Sequence, residues 1–152
     1  MSAHRSTAAA TTAAAGTTAS YGTPPSRRTH VAVLTLQILL ALFLGIASAA
    51  PKLIGHESAA TIFDEIGLGG WFMYLVGALE LAGAVGLVIP LLSGVSALAL
   101  IGLMIGAFIT QVTALGGEYW YTPVLMAILF GIIAWVRRGR TVELVALLRA
   151  RL

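Results

Sequence analysis

The chain has 152 residues, of which 59% are hydrophobic and only 10% are charged. Ordinary soluble domains are about 25% charged, so too few charged groups remain to cover a soluble surface, and lipid must solvate much of this chain. The net charge is +3, but the arginines stand beside apolar segments instead of forming a basic face, which argues against nucleic acid as a partner. The absence of cysteine excludes disulfides, thiol catalysis, iron–sulfur clusters and cysteine-based zinc sites in this chain.

The N-terminal part, residues 1–29, is rich in Ala, Thr and Ser, and this composition predicts a disordered cytoplasmic tail. The first apolar segment follows at residues 31–50. Its twenty uncharged residues would form a helix about 30 Å long, which matches the hydrocarbon core of a bilayer. We expect Pro51 to end this helix. A second interpretation is a secretory signal, with Arg27 and Arg28 as its basic region and residues 47–49 as an A-x-A-like cleavage site.

Three further apolar segments cover residues 71–89, 93–115 and 122–136. The loop after the first segment predicts a short helix over residues 58–66 with Ser58 as its N-cap. Residues 139–152 predict either a short amphipathic cytoplasmic helix or a solvated tail. The fold class is therefore all-α: an antiparallel bundle of four transmembrane helices over residues 30–138.

Charged residues beside the segments predict the orientation of this bundle. Arg27 and Arg28 precede the first segment, and Arg137, Arg138 and Arg140 follow the fourth. The first and third loops together contain one lysine and four acids. By the positive-inside rule both termini lie in the cytoplasm, and we expect a multi-pass protein of the plasma (inner) membrane.

Glu80 is the one ionisable residue near the middle of the second apolar segment. Burying a charge at bilayer depth costs about 2.5–3.5 kcal/mol on insertion scales, so such a residue normally faces a bundle interior or cavity. Gly77 and Gly83 lie three residues before and after it and would let another helix approach this face. One interpretation is a ligand-binding or proton-carrying carboxyl; the other is a hydrogen-bonded packing residue.

Other polar residues fall in the same outer half of the bilayer. Lys52 stands at the outer end of the first helix, Ser48 lies one turn before it, and Gln111 lies near the outer end of the third segment. Together with Glu80 they predict a polar pocket that opens outward. Because Lys52 and Glu80 differ in depth, we expect a water or ligand between them and not a direct contact.

Two other features concern packing. Gly102 and Gly106 form a GxxxG motif, which we interpret as a packing surface inside the bundle, with homodimerisation as the alternative. Thr35 and Gln37 lie in the inner half of the first helix, and we expect other helices to satisfy them. No nucleotide-binding, triad or metal-ligand motif is present, so no metal site is predicted.

The chain resembles the DoxX-like family of small four-helix membrane proteins from Leu36 to Arg138. The resemblance is carried by LLALFLGIASAAPKL at residues 39–53, by GGWFMYLVGALELAGAVGLVIP at residues 69–90, and by residues 102–113. Its most specific part is the stretch around Glu80 that ends at Pro90. Family members often place a histidine where Gln111 stands here.

The resemblance implies a membrane or accessory subunit of a quinone-linked or redox-stress system. Lys52 and Glu80 are then the site residues, a quinone is the implied cofactor, and a redox protein is the implied partner. The alternatives are a binder or transporter of small molecules or lipids, which would need a homo-oligomer, and a structural anchor for a partner protein without catalysis. We expect a chain without catalytic activity of its own, with a subunit of an oxidoreductase as the alternative.

Overall fold

The computed structural model describes residues 26–150, and within this range the chain forms helices joined by short turns, without strands. The helices are α1 (Arg27–Leu42), a π-helical segment (Phe43–Ala49), α2 (Ala50–Leu53), α3 (Glu57–Ile66), α4 (Gly70–Val88), α5 (Ser93–Thr113), α6 (Tyr121–Val136) and α7 (Arg138–Arg149). Most of the predicted N-terminal tail lies outside the described residues. Its last three residues do not belong to a tail, because α1 begins at Arg27 with Ser26 as its N-cap.

Three helical stretches are long and apolar enough to cross a membrane: Arg27–Leu53, Gly70–Val88 and Ser93–Thr113. A fourth span results if α6 and α7, which are bent by 65° at Arg137, are counted together. Helix α6 alone has 16 residues, or about 24 Å. The described part of the chain therefore has three or four candidate spans.

Pro51 does not end the first span, which corrects the prediction from sequence. Proline lacks a backbone N–H, and its ring collides with the carbonyl four residues earlier in an α-helix. Here the preceding turns are π-helical, and the backbone N–H of Ala50 donates to the carbonyl of Gly45, five residues back. Pro51 consequently falls in the first turn of α2, where a missing N–H is tolerated, and the helix continues to Leu53.

The π-helical segment also changes the phase of the buried face. From α1 into the π-helical segment, the buried positions Val33, Gln37, Leu40 and Leu44 are three or four residues apart, as in an ordinary α-helix, but the next buried position is Ala49. A π-helical turn contains about one more residue than an α-helical turn. The π-helical turn absorbs this extra residue and so keeps the outer end of the span turned toward the bundle.

The short helix α3 forms as predicted, but His56 and not Ser58 caps it. The Nδ1 atom of His56 accepts a hydrogen bond from the backbone N–H of Ser58. Gly67 ends the helix in the left-handed region at φ 76°, which glycine adopts without steric cost. Phe63 of α3 packs against Phe72 of α4, with ring centroids 5.8 Å apart.

The main core lies where α1, α4, α5 and α6 meet. It consists of buried side chains from all four helices: Val33, Leu40, Leu44, Ala84, Leu87, Ala97, Leu100, Met104, Met126, Phe130 and Ile133. Gly83 allows the close approach of α4 and α5, because a Cβ atom there would lie 2.8 Å from Cγ of Leu100. Outward-facing side chains such as Leu39, Ile46 and Trp135 are large, apolar and exposed, as expected for a lipid-facing surface.

Gly102 and Gly106 do not pack inside the bundle, contrary to the prediction. Both are exposed, and a Cβ atom at either position would meet no neighbouring atom within 4 Å. The buried face of α5 is instead formed by Ala97, Leu100 and Met104. The GxxxG spacing identifies a small-residue face but does not determine which side of the helix meets the core.

Candidate functional site

Lys52 and Glu80 form a direct ion pair. The Nζ atom of Lys52 lies 2.9 Å from Oε2 of Glu80, and both side chains are largely buried, at 16% and 7% exposure. The expectation that a water or ligand would separate them is therefore wrong. Side chains on a helix lean toward its N-terminus, and that of Lys52 returns one turn to reach the depth of Glu80.

Ser48 completes this cluster. The ammonium of Lys52 donates to the backbone carbonyl and to Oγ of Ser48, at 2.9 and 3.0 Å. The hydroxyl of Ser48 in turn donates to Oε2 of Glu80 at 3.0 Å. An ammonium has three N–H donors, and all three of Lys52 are used within this cluster.

Gly77 makes the short distance between the two helices possible. A Cβ atom there would lie 2.9 Å from Cβ of Lys52 and 3.2 Å from Cγ of Leu53. Since Gly77 and Glu80 are three residues apart, they share one face of α4. The glycine thus brings α2 against α4 at the level where the ion pair forms.

The two carboxylate oxygens of Glu80 are unlike each other. Oε2 accepts from Lys52 and from Ser48, whereas Oε1 makes none of the hydrogen bonds among the described residues. No fully buried side-chain oxygen or nitrogen in residues 26–150 lacks a hydrogen-bond partner. Oε1 is therefore not fully buried, and it is free of hydrogen bonds from the described residues.

Gln111 is the candidate residue that does not join this cluster. It is half-buried near the outer end of α5, and its backbone carbonyl accepts from the backbone N–H of Gly117 at 2.8 Å. Its side chain takes no part in the hydrogen bonds that connect Ser48, Lys52 and Glu80.

A second polar cluster lies toward the other end of the bundle, and sequence reasoning missed it. Arg137 is 6% exposed and donates through Nε and Nη2 to Oε1 of Gln37, at 3.2 and 2.7 Å. Gln37 donates in turn to the backbone carbonyl of Leu87 at 2.7 Å. These contacts join α1, α4 and the end of α6. Gln37 is thus satisfied by other helices as expected, whereas Thr35 donates to Val31 of its own helix.

The guanidinium of Arg137 also contacts Nδ1 of His30 at 3.2 Å. Arginine has only donors, so Nδ1 of His30 accepts, and the imidazole carries its proton on Nε2. Burial, followed by the positive charge of Arg140, lowers the pKa of Arg137 below its ordinary value. The sequence signal for this cluster is a single glutamine in an apolar helix, with an arginine directly after another apolar helix.

No group of three or more His, Asp or Glu side chains within residues 26–150 is placed to hold a metal ion.

The comparison with protein families gives one match. The model of the DoxX-like family matches residues 35–137, a range that includes the Lys52–Glu80 cluster, Gln37 and Arg137, and all or part of each helix of the main core. No curated protein and no solved structure matches the chain. Since the family model covers more than half of the chain, and since at least three of its helices can cross a bilayer, the chain belongs to the DoxX-like family and is a multi-pass membrane protein.

Proposed function

We propose that the protein is a membrane-embedded accessory subunit of a quinone-linked redox system, and that Glu80 binds the polar headgroup of the quinol. The observation that supports this function is the unequal use of the two oxygens of Glu80. Lys52 and Ser48 hold Oε2, while Oε1 accepts no hydrogen bond from the described residues.

The depth of Glu80 suits a lipid-soluble ligand. Glu80 lies nine residues into the span from Trp71, or about 13 Å below the outer interface. A hydrophilic substrate would have to cross that depth of hydrocarbon, whereas a quinol diffuses within it. An aromatic hydroxyl can donate to Oε1 without disturbing the ion pair.

The oxidised headgroup fits this site less well. A quinone carbonyl needs a donor, and all three N–H groups of Lys52 are already used. Binding of the quinone would cost one of these hydrogen bonds, so we expect the reduced form to bind more tightly. When bound, the quinol supplies two electrons and two protons, and Glu80 is the side chain positioned to accept a proton from the hydroxyl.

We assign the electron-transfer partner to another protein, because this chain has no cysteine for an iron–sulfur cluster or a redox thiol. The distribution of arginine supports an orientation of the four-helix bundle with both termini in the cytoplasm, in the inner membrane. Lys52 and Glu80 would then lie in the outer leaflet.

The test is a binding titration of the purified protein in detergent with decylubiquinol and decylubiquinone. We expect the quinol to bind at least about tenfold more tightly, since one hydrogen bond to a charged group contributes about 1.5–3 kcal/mol. The E80Q variant should lose this preference. The matched control is E118Q, an exposed loop carboxylate, which should bind as the natural protein does. Equal binding of both forms, or binding unchanged in E80Q, would refute the site.

A further inference from the structure

Four exposed arginines flank the Gln37–Arg137 cluster: Arg27 and Arg28 in the first turn of α1, and Arg138 and Arg140 in the first turn of α7. We refer to them as the arginine surface. We propose that the arginine surface is a binding site for the phosphate headgroups of anionic phospholipids, and that Arg137 positions its two halves. This inference does not depend on the quinol site.

The two halves come from opposite ends of the described chain, and one contact joins them. Arg137 reaches His30 at 3.2 Å, and Arg27 lies three residues before His30 on the same side of the helix. Arg138 directly follows Arg137. The buried guanidinium thus fixes the start of α1 beside the break between α6 and α7, and the flanking arginines of both helices lie at the same end of the bundle.

The charge at this end is strongly unbalanced. Within residues 26–150, six arginines lie in the first turn of α1 or from Arg137 onward, and Glu143 is the one acid among them. Glu143 contacts Arg140 at 3.4 Å, but both side chains are about half exposed, so this pair neutralises little charge in water. The surface is complementary to several negative charges.

The surroundings of the arginines favour lipid over a soluble acidic partner. The guanidinium of Arg138 lies 4.8 Å from the ring centre of Trp135, which is 70% exposed. Val31 and Leu34, one and two turns above Arg27, are also exposed apolar side chains. A surface with charged groups at its rim and bare apolar groups directly above them matches a headgroup with its acyl chains, and tryptophan is typical of this level in a membrane.

The bend between α6 and α7 is consistent with this placement. The two helices differ in direction by 65°, and Thr141 packs against Gly94 at the start of α5, where any side chain would overlap it. Helix α7 is therefore held across the end of the bundle. Its first turn, with Arg138 and Arg140, stays at the depth where lipid phosphates lie.

The test titrates the detergent-solubilised protein with palmitoyl-oleoyl phosphatidylglycerol or the matching phosphatidylcholine and counts bound lipids by native mass spectrometry. We expect phosphatidylglycerol to bind more tightly. Each basic residue near an anionic surface contributes about 1 kcal/mol, or roughly fivefold. The double variant R138Q/R140Q should therefore bind phosphatidylglycerol about 25-fold more weakly, with phosphatidylcholine unchanged.

The matched control is R149Q, which removes a charge about 16 Å along α7 from Arg138 and should lower the affinity less than twofold. The R137K variant keeps the charge but loses the forked contact to Gln37, and we expect it to weaken phosphatidylglycerol binding although the net charge is unchanged. Equal affinity for the two lipids, or equal losses in R149Q and in R138Q/R140Q, would overturn the proposal. Unfolding temperatures in phosphatidylcholine show that each variant is folded.

Discussion

At the scale of single residues, the buried charged side chains Glu80 and Arg137 each lie beside groups that offset the free-energy cost of burying their charge. Glu80 meets Lys52 and Ser48. Arg137 donates to neutral acceptors and directly follows the last residue of α6. Gln37 connects it to the carbonyl of Leu87, near the C-terminus of α4. Helix C-termini carry partial negative charge, which explains how a buried arginine is stable without a carboxylate among its described contacts.

A double-mutant cycle tests the Lys52–Glu80 pair. Removing one partner leaves the other charge buried, so K52M or E80L alone should each lower the free energy of unfolding by about 3–5 kcal/mol. The double variant K52M/E80L should lose much less than the sum. The measurement is chemical or thermal unfolding in one detergent, and additive losses would mean that the two residues do not interact.

Gln37 and Thr35 form a matched pair for a second prediction. Q37L removes two hydrogen bonds to the guanidinium of Arg137, and we expect it to lower the free energy of unfolding by about 1.5–3 kcal/mol. T35V removes an exposed hydroxyl that bonds within its own helix. It should change the free energy of unfolding by less than about 0.5 kcal/mol. Similar losses in both variants would contradict the role given to Gln37.

Sequence reasoning proposed Glu80, Lys52 and Ser48 as candidate residues because polar groups are rare in apolar segments, and the structure brings these three side chains into contact. It did not predict the direct ion pair, since estimates of depth from residue number ignore the reach of a lysine side chain. It also used Arg137 only to predict which side of the membrane the C-terminus faces. The sequence shows that Arg137 follows an apolar segment, but not that it turns inward to Gln37, because that depends on the rotation of the helix.

At the scale of elements, the π-helical segment is the feature that positions the site. It adds one residue to the turn between Leu44 and Ala49 and lets the span continue through Pro51. If the same residues formed a regular α-helix, the outer turn would be rotated by about 100°, and Lys52 would point away from Glu80.

Two single-residue deletions test this effect. Deletion of Ile46, a lipid-facing residue inside the π-helical segment, should convert the segment to α-helix and keep both ends in phase. Deletion of Leu39, which is equally lipid-facing but lies in regular α-helix, should rotate Leu40 and Leu44 out of the core. We expect the first variant to fold, at a lower unfolding temperature because Pro51 then lies inside a regular α-helix, and the second to fail to fold. The reverse order would show that the segment does not set the phase.

The helix boundaries show how far periodicity and composition can predict this fold. The second segment was expected at residues 71–89 and is observed at Gly70–Val88, because Ile89 takes the extended conformation that precedes proline. The predicted bounds of the first helix were wrong at both ends, because the helix begins at Arg27 and continues past Pro51. An apolar pattern predicts where lipid contact starts and stops, whereas a helix can extend beyond it in both directions.

At the scale of the whole molecule, two polar clusters stand at different depths with an apolar core between them. The Lys52–Glu80 cluster joins the first span to α4, and the Gln37–Arg137 cluster joins α1, α4 and α6. The core between them contains side chains such as Leu44, Leu87 and Phe130. The arginine-rich end and the site of Glu80 therefore lie apart in the bundle.

The lack of natural cysteine makes the number of spans and their direction testable by labelling. Single cysteines at Glu57, Glu118 and Gly139 each occupy exposed positions. In right-side-out membrane vesicles a membrane-impermeant maleimide should label the first two at once and the third only after detergent is added. Labelling of the cysteine at position 139 from outside would contradict the four-span orientation.

The central claim is that Glu80 holds a quinol headgroup in the bilayer, and the most direct measurement is the quinone content of the protein purified gently from its own membranes. Mass spectrometry of the extracted lipids should give about one quinone per chain for the natural protein, little for E80Q, and an unchanged amount for the E118Q control. A natural protein without quinone, or an E80Q variant that retains it in full, would contradict the claim.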